Sequence, residues 1–378
     1  MKELRVAIVG AGFIGMQHAD AIMRQPGAKL VALADADSAG LARKQAQLGL
    51  KRGYTDYQQM LEKEDIDIVH NCTPNSLHFA VSQAALSAGV HVYCEKPLAV
   101  SVEEGGKLTQ MAREKKLGNA VNFNYRGNVC LWEMRERLKK DAGRCFLLHG
   151  AYLQDWLMYE TDYNWRLEEC GNGLAPRALA DIGSHWFDLA QFVRGKRITA
   201  VNAALFNVWP ERVKPSGDRV PVRSEDGAVV QMKFEDGLLA SLVLSQVSAG
   251  YKNHIALSAD CERYSMRWQQ QQPDKLVLGK RDGGEEVLYA DAGWLSGAAG
   301  KHASLPNGHS GGWADALRNM IGEFYQAIRD GSAQRGEPGN YATFEDGLYI
   351  MRLAEACAAS WREQKWRELS NYSKKGKE

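Results

Sequence analysis

The chain predicts an α/β protein of two domains, a parallel sheet covered by helices followed by a domain built on a largely antiparallel sheet. Three observations carry that expectation. Over the first 124 residues, short apolar runs alternate with longer polar–apolar segments, as strands covered on both faces require. A glycine turn follows the first of those runs directly. Beyond residue 125 long strand-like stretches dominate, and 378 residues exceed what one ordinary core accommodates. The expected domains are 1–124 and 125–378.

Residues 4–9 are apolar apart from Arg5 and read as the first strand. The glycines come next, and apolar residues then recur at helical spacing over 16–23. Residues 29–34 read as the second strand. Residues 66–71 and 90–94 are two more, separated by a helix over roughly 76–88. A helix over 102–115 and a strand over 119–123 complete this half. In the second half, 144–153, 198–208, 228–234, 238–247 and 275–278 read as strands. Asp236-Gly237 stands between two of them as a hairpin turn. Residues 280–312, rich in Gly, Ala, Ser and Asp, read as a long excursion, and helices over 313–329 and 344–361 close the chain. There is no internal repeat and no low-complexity tract.

Composition narrows the function classes. A formal charge of +1, from 47 basic and 46 acidic side chains, gives no support to a nucleic-acid or membrane-surface partner. The N-terminus lacks the apolar stretch and small-residue cleavage site of a signal peptide, and no run is long enough for a membrane span. The seven cysteines form no Cys-x-x-Cys pair and are odd in number. They read as reduced cysteines of a cytoplasmic protein.

Gly10-Ala11-Gly12-Phe13-Ile14-Gly15 is a G-x-G-x-x-G between a strand and a helix, the context of a Rossmann dinucleotide site. The first glycine makes the turn, the second lets backbone approach a pyrophosphate, and the third allows close helix–strand packing. Asp35, at the end of the second strand, is placed to accept hydrogen bonds from ribose hydroxyls and to repel a 2′-phosphate. Asp37 adds negative charge and no Arg follows at once, so NAD is expected rather than NADP. The competing role for Asp35 is a cap of the next helix.

Two polar segments follow strands whose carboxyl ends a parallel sheet exposes: Thr73-Pro74-Asn75-Ser76-Leu77-His78 and Glu95-Lys96-Pro97. Both are expected beside the cofactor, and a Lys-Pro bond adopts cis at lower cost than other peptides. In the second half, Asp181-Ile182-Gly183-Ser184-His185 precedes a helical pattern. Ser184 reads as its N-cap, which would set His185 at a helix N-terminus where the dipole favours the neutral imidazole needed for proton abstraction. His18, His149 and His254 read as structural. No His/Cys/Asp group has metal-ligand spacing.

The glycine motif, Glu95-Lys96-Pro97 and Asp181-Ile182-Gly183-Ser184-His185, in that order and at these intervals, resemble the three signatures of the Gfo/Idh/MocA oxidoreductases. The resemblance extends over nearly the whole chain and includes Asn122-Phe123-Asn124-Tyr125-Arg126 and Trp165-Arg166. It implies a Rossmann domain with a parallel sheet and a C-terminal α+β domain whose large, open, mainly antiparallel sheet serves dimerisation, hence a homodimer or homotetramer. It also implies hydride transfer between nicotinamide and an alcohol carbon. By resemblance Lys96 contacts nicotinamide ribose and substrate oxygen, His185 is the general acid/base, and Asp181 binds substrate. Gly10, Gly12, Phe13, Ile14, Asp35, Thr73, Asn75, His78, Glu95, Lys96, Arg126, Trp165 and Arg166 are the expected cofactor positions.

Tyr152-Leu153-Gln154-Asp155-Trp156 suits a sugar, with polar groups for hydroxyls and an indole for a ring face. Gln154, Asp155 and Trp156 therefore join Lys96, Asp181 and His185 as substrate candidates, against the reading of Trp156 as core and Asp155 as a loop cap. With no Arg/Lys cluster here to announce a phosphate, a neutral sugar or polyol is expected. Rival readings are the same chemistry on a dihydrodiol, tetrapyrrole or imine, a bound-cofactor cycle between two sugars, and an NAD-binding regulator without turnover.

Overall fold

The computed structural model describes residues 3–164, 167, 177–306 and 308–369. They fall into two units, Met1–Gly127 with Trp313–Tyr349, and Asn128–Gly312 with Ile350–Glu378.

In the first unit six strands, β1 (Leu4–Val9), β2 (Ala28–Ala34), β3 (Gly53–Tyr54), β4 (Ile68–Asn71), β5 (His91–Cys94) and β6 (Asn119–Val121), form one sheet in the order β3-β2-β1-β4-β5-β6. All pairings are parallel. Helices α1 (Phe13–Met23), α2 (Ser38–Gln47), α3 (Tyr57–Lys63), α4 (His78–Ser87) and α5 (Val102–Glu114) alternate with the strands. Between residues 38 and 63, where the sequence reading names no element, the structure adds α2, β3 and α3. Val6, Ala7 and Ile8 are fully buried, as a strand covered on both faces demands. The register aligns the strand ends: Val9 pairs with Ala34 and Asn71, Asn71 with Cys94, and Cys94 with Val121. Gly10, Asp35, Cys72, Glu95 and Asn122 therefore leave the sheet along one carboxyl edge. The strand order reverses there between β1 and β4, the switch point where open α/β sheets bind ligands.

The first unit runs to Gly127, near the expected boundary at 124/125, and also takes in a later segment. The later helix α8 (Trp313–Arg329) returns to the first unit. Its stripe of Leu317, Ile321, Phe324, Tyr325 and Ile328 is buried in one cluster with Val6, Ile8 and Ile22. An amphipathic stripe announces that a helix packs, not which sheet receives it.

The second unit holds β7 (Cys145–Leu153), β8 (Ile198–Phe206), β11 (Gly227–Phe234), β12 (Leu239–Ser245), β13 (His254–Cys261), β14 (Ser265–Gln269), β15 (Lys275–Gly279), β16 (Glu285–Tyr289) and β17 (Arg367–Glu368) in one sheet. The order is β16-β15-β14-β13-β7-β12-β11-β8-β17, and only β7–β12 pairs parallel. A separate ribbon pairs β9 (Glu211–Val213) with β10 (Arg219–Pro221). β11 and β12 meet at the expected Asp236-Gly237 turn, with Gly237 at φ +85°. Inner residues Val230, Met232 and Phe234 are buried while Val229 is exposed, so the sheet has one covered face. Helices α6 (Val129–Lys140) and α7 (Ser184–Arg194) pack on it. The expected excursion over 280–312 contains β16, and β13 and β14 were not foreseen. β13, His-Ile-Ala-Leu-Ser-Ala-Asp-Cys, is rich in small residues of weak strand propensity, so its neighbours β7 and β14 define it.

Candidate active site

The glycine turn is built as its sequence requires. Gly10 has φ +91°, and a Cβ there would lie 2.5 Å from the Cys72 carbonyl oxygen. A Cβ on Gly15 would lie 2.0 Å from the Gly10 oxygen, whereas one on Gly12 would meet nothing within 4 Å. Gly12 is the N-cap of α1 and no side chain caps that helix, nor does an acidic residue stand in its first turn. Phe13 is exposed there. Uncapped N–H groups beside open space suit a pyrophosphate. Asp35 Oδ2 accepts from the Ala11 amide at 2.6 Å and Oδ1 from the Asp37 amide at 2.9 Å, which ties the end of β2 to the turn. The N-cap of α2 is Asp37, through Gly40 N at 3.0 Å, so Asp35 is not that cap. Glycine turn, open cradle and half-buried acid together fit a dinucleotide.

Along the same edge, Thr73 Oγ1 donates to Asn71 Oδ1 at 2.7 Å, and Asn75 opens a 3-10 turn. His78, an expected cofactor residue, lies beneath this edge. It is buried, with Nδ1 2.6 Å from the Pro97 oxygen and Nε2 3.0 Å from the Thr73 oxygen. Both ring nitrogens face backbone, so His78 braces the two edge loops from within. Burial pushes its pKa down. Lys96-Pro97 is cis, and Lys96 is half-buried.

Glu95 likewise turns inward. Its Oε1 lies 2.9 Å from His18 Nε2 and accepts from Asn122 Nδ2 at 2.5 Å, while Oε2 accepts from the Lys96 amide at 3.2 Å. Burial alone would raise this carboxyl, but hydrogen bonds from His18 and Asn122 and the Lys96 charge outweigh it and hold it at about 2. Behind it His18 Nδ1 meets His70 Nδ1 at 2.7 Å, and His70 Nε2 meets the Tyr325 hydroxyl at 2.8 Å. Burial, with His18 beside it, pushes His70 well below the usual histidine range. One direction of donation satisfies every contact: Tyr325 to His70, His70 to His18, and His18 to the Glu95 carboxylate. Arg126, also buried, pairs with Asp346 at 3.5 Å. The buried Asn124 Nδ2 has no hydrogen-bond partner among the described residues.

In the second unit the structure corrects the expected N-cap at Ser184. A π-helix, Leu179–Gly183, runs straight into α7, and no side chain caps the junction. His185 thus lies inside a continuous helix and not at a helix N-terminus. A π-turn widens the spiral locally, a feature that recurs at functional sites, and Asp181 sits in its middle. Gln246 Nε2 donates to Asp181 Oδ2 at 2.9 Å and lies 3.5 Å from Gln154 Oε1. His185 is buried, with the Tyr152 ring 6.2 Å away.

The structure brings Gln154 to Asp181 through Gln246, but it directs the next two candidates elsewhere. Asp155 accepts from Lys252 Nζ at 2.6 Å and from Gly250 N at 3.1 Å, and the Lys252 hydrogen bond holds its carboxyl below the usual range. Trp156 is exposed, and its Nε1 donates to the Lys252 oxygen at 2.8 Å. Trp165 and Arg166 lie outside the described residues. Sequence reasoning missed Asn122, His70, Tyr325, Arg177 and Gln246 as supports. A charged Glu225-Asp226 pair directly before the apolar strand β11 is the one local signal that a buried counterion was needed.

Comparison with known proteins matches residues 4–123 to the family model described as "Oxidoreductase family, NAD-binding Rossmann fold", GFO_IDH_MocA. Residues 132–267 match "GFO/IDH/MocA C-terminal domain". The chain is 26% identical over 412 aligned residues to levoglucosan dehydrogenase of Pseudarthrobacter phenanthrenivorans, covering 99% of this chain and 100% of that one. Among solved structures, levoglucosan dehydrogenase in complex with NADH and L-sorbose has a TM-score of 0.88 at 26% identity, over 97% of this chain and 99% of that one. An inositol dehydrogenase homolog complexed with NAD+ from Azotobacter vinelandii has a TM-score of 0.85 at 26% identity, over 97% of both chains.

Proposed function

This chain belongs to the Gfo/Idh/MocA oxidoreductases, an NAD-binding family that includes sugar dehydrogenases, and from that premise we propose that it interconverts a secondary alcohol of a neutral sugar or polyol and its keto form. The observation that carries the reading is Asp181, on one π-to-α helix with His185 and hydrogen-bonded to Gln246, which offers an oriented acceptor to a substrate hydroxyl. Bound nicotinamide supplies the hydride acceptor or donor. His185 removes the hydroxyl proton in the oxidative direction and returns it in the reductive one. Lys96 stabilises charge developing on the same oxygen, and Asp181 orients the ring. The proposed cofactor contacts are Gly12, Phe13 and Ile14 to the pyrophosphate, Asp35 to the adenosine ribose, and Thr73, Asn75, Lys96 and Arg126 along the remaining edge. Asp35 selects NAD over NADP because its charge repels a 2′-phosphate.

The proposal places the chain in the cytoplasm, from the odd cysteine count without Cys-x-x-Cys pairs in the sequence. No described helix is long and apolar enough to cross a membrane. The test is absorbance at 340 nm for purified protein with NAD, and separately NADP, against levoglucosan, L-sorbose, free aldoses and inositols. NAD reduction by one stereochemical group, or NADH oxidation by its ketone, is the expected result. Silence in both directions with NAD shown to bind would overturn the reading in favour of a sensing role.

A further inference from the structure

We infer that Gln246 and Arg177 are positioning residues that hold Asp181 in a fixed orientation as a hydrogen-bond acceptor, an inference that rests on the reading of Asp181 as the substrate-orienting group. Arg177 carries only donors. Its Nη1 lies 2.6 Å from Gln246 Oε1, so the Gln246 oxygen must face the guanidinium. The amide nitrogen is thereby turned to Asp181 Oδ2 at 2.9 Å. An unconstrained Gln could flip and present either end, and this one has a single polarity.

Arg177 cannot shift to release it. Its Nε donates to Ser224 Oγ at 3.0 Å, and its Nη2 to the Glu225 oxygen at 2.8 Å and Asp226 Oδ1 at 2.5 Å. Asp226 is also held by Arg212 Nη2 at 2.8 Å and the Val208 amide at 2.8 Å. The backbone is pinned by the same cluster. Glu225 Oε1 accepts from the amides of Arg177 at 2.8 Å and Leu179 at 2.9 Å, fixing the entry to the π-helix, and the Asp181 amide donates to the Arg177 oxygen at 2.8 Å. Arg177 thus reaches Asp181 twice, through its own carbonyl and through Gln246. Arg177, Arg212, Gln246 and Asp226 are all at most 3% exposed, so water competes little with these bonds. A mere core strut would need no defined polarity at Asp181. This cluster sets one, and it favours hydroxyl donors over anionic substrates.

The first test needs no turnover: thermal unfolding at pH 8 of the wild type, Gln246→Glu, Asp181→Asn and the double variant. Gln246→Glu keeps the bond to Arg177 but sets a carboxylate against Asp181, so Tm falls by about 4 °C or more. Adding Asp181→Asn restores a donor–acceptor pair of reversed polarity and recovers most of that loss. Losses that simply add would overturn the contact. Among the described residues, Arg177, Arg212, Glu225 and Asp226 form the charged cluster behind Gln246, and His185 follows Asp181 one turn along the same helix. With the fastest sugar of the panel, Gln246→Glu lowers kcat/KM at least ~10-fold, chiefly through KM, and moves the acid limb of its pH profile upward. Gln246→Met gives the same KM-weighted loss should the glutamate variant fail to fold. If Asp181→Asn abolishes turnover while both Gln246 variants keep wild-type KM and pH profile, the positioning role fails alone. If Asp181→Asn turns over normally, the reading of Asp181 fails and takes the inference with it.

Discussion

At the scale of single residues, two side chains serve the proposed chemistry in different ways. In the proposed reaction His185 exchanges a proton, and its place inside a continuous helix leaves burial and its neighbours, not a helix terminus, to set its environment. His185→Ala is expected to lower kcat by roughly 10²–10⁴ while NAD binding, read by NADH fluorescence, changes little. An undiminished rate would remove His185 from the reaction. Asp35, in the proposed cofactor site, faces the adenosine ribose. It is bonded to Ala11 and Asp37 amides and carries no capping duty, so its remaining lone pairs are available to a ribose. Asp35→Ala is expected to weaken NAD and narrow the preference over NADP, measured as the ratio of kcat/KM for the two cofactors. An unchanged ratio would mean Asp35 does not read the ribose.

At the scale of elements, the carboxyl edge of the parallel sheet works because β1, β4, β5 and β6 end in register and because the residues just beyond them are braced from behind. Glu95 shows the cost and the gain. Its carboxyl is held at about 2 against an ordinary 4.5. A folded value below the unfolded one contributes stability that is present above about 4.5 and is lost as pH falls through about 2. Glu95→Gln is therefore expected to lower Tm at pH 7 and to narrow the gap from the wild type as pH is taken from 5 toward 3. A gap independent of pH would show that the charge of Glu95 is not what the histidine chain stabilises. The edge itself was legible, since the glycine turn, Asp35 and Glu95-Lys96-Pro97 each sit where a strand ends. The bracing was not, because His18, His70 and Tyr325 carry no local signal of meeting.

At the scale of the whole molecule, the described residues leave one face of the open sheet uncovered. Val229 pairs with Val243 across β11 and β12, Leu239 lies farther along β12, and all three are exposed, beside half-buried Leu147 and Ala151 of β7. The same face also carries Gln231, Lys233, Ser241 and His149, so its apolar residues form a patch within a mixed surface, as subunit interfaces often do. If, as the family resemblance implies, the chain forms a homo-oligomer on this face, the wild type is a dimer or tetramer by light scattering and Val229→Lys with Val243→Lys converts it to monomer, with far-UV circular dichroism unchanged. A wild-type monomer, or a variant of unaltered mass, would place the assembly surface elsewhere or nowhere.

By itself the sequence determined the elements whose signal is local: apolar strands of the first sheet, the glycine turn between strand and helix, the acid at the end of β2, the Asp-Gly hairpin and the helical stripe of residues 313–329. Periodicity and turn chemistry act within a dozen residues and survive in any surroundings. Tertiary structure alone decided where that stripe packs, that β13 is a strand, and that Ser184 caps nothing. It also decided which polar groups meet, as with His70 and Tyr325 at a separation of 255 residues or Asp181 and Gln246 at 65. Such contacts exist because a buried donor or acceptor must find a partner once the core closes, and that partner is chosen by packing rather than by neighbours in the chain.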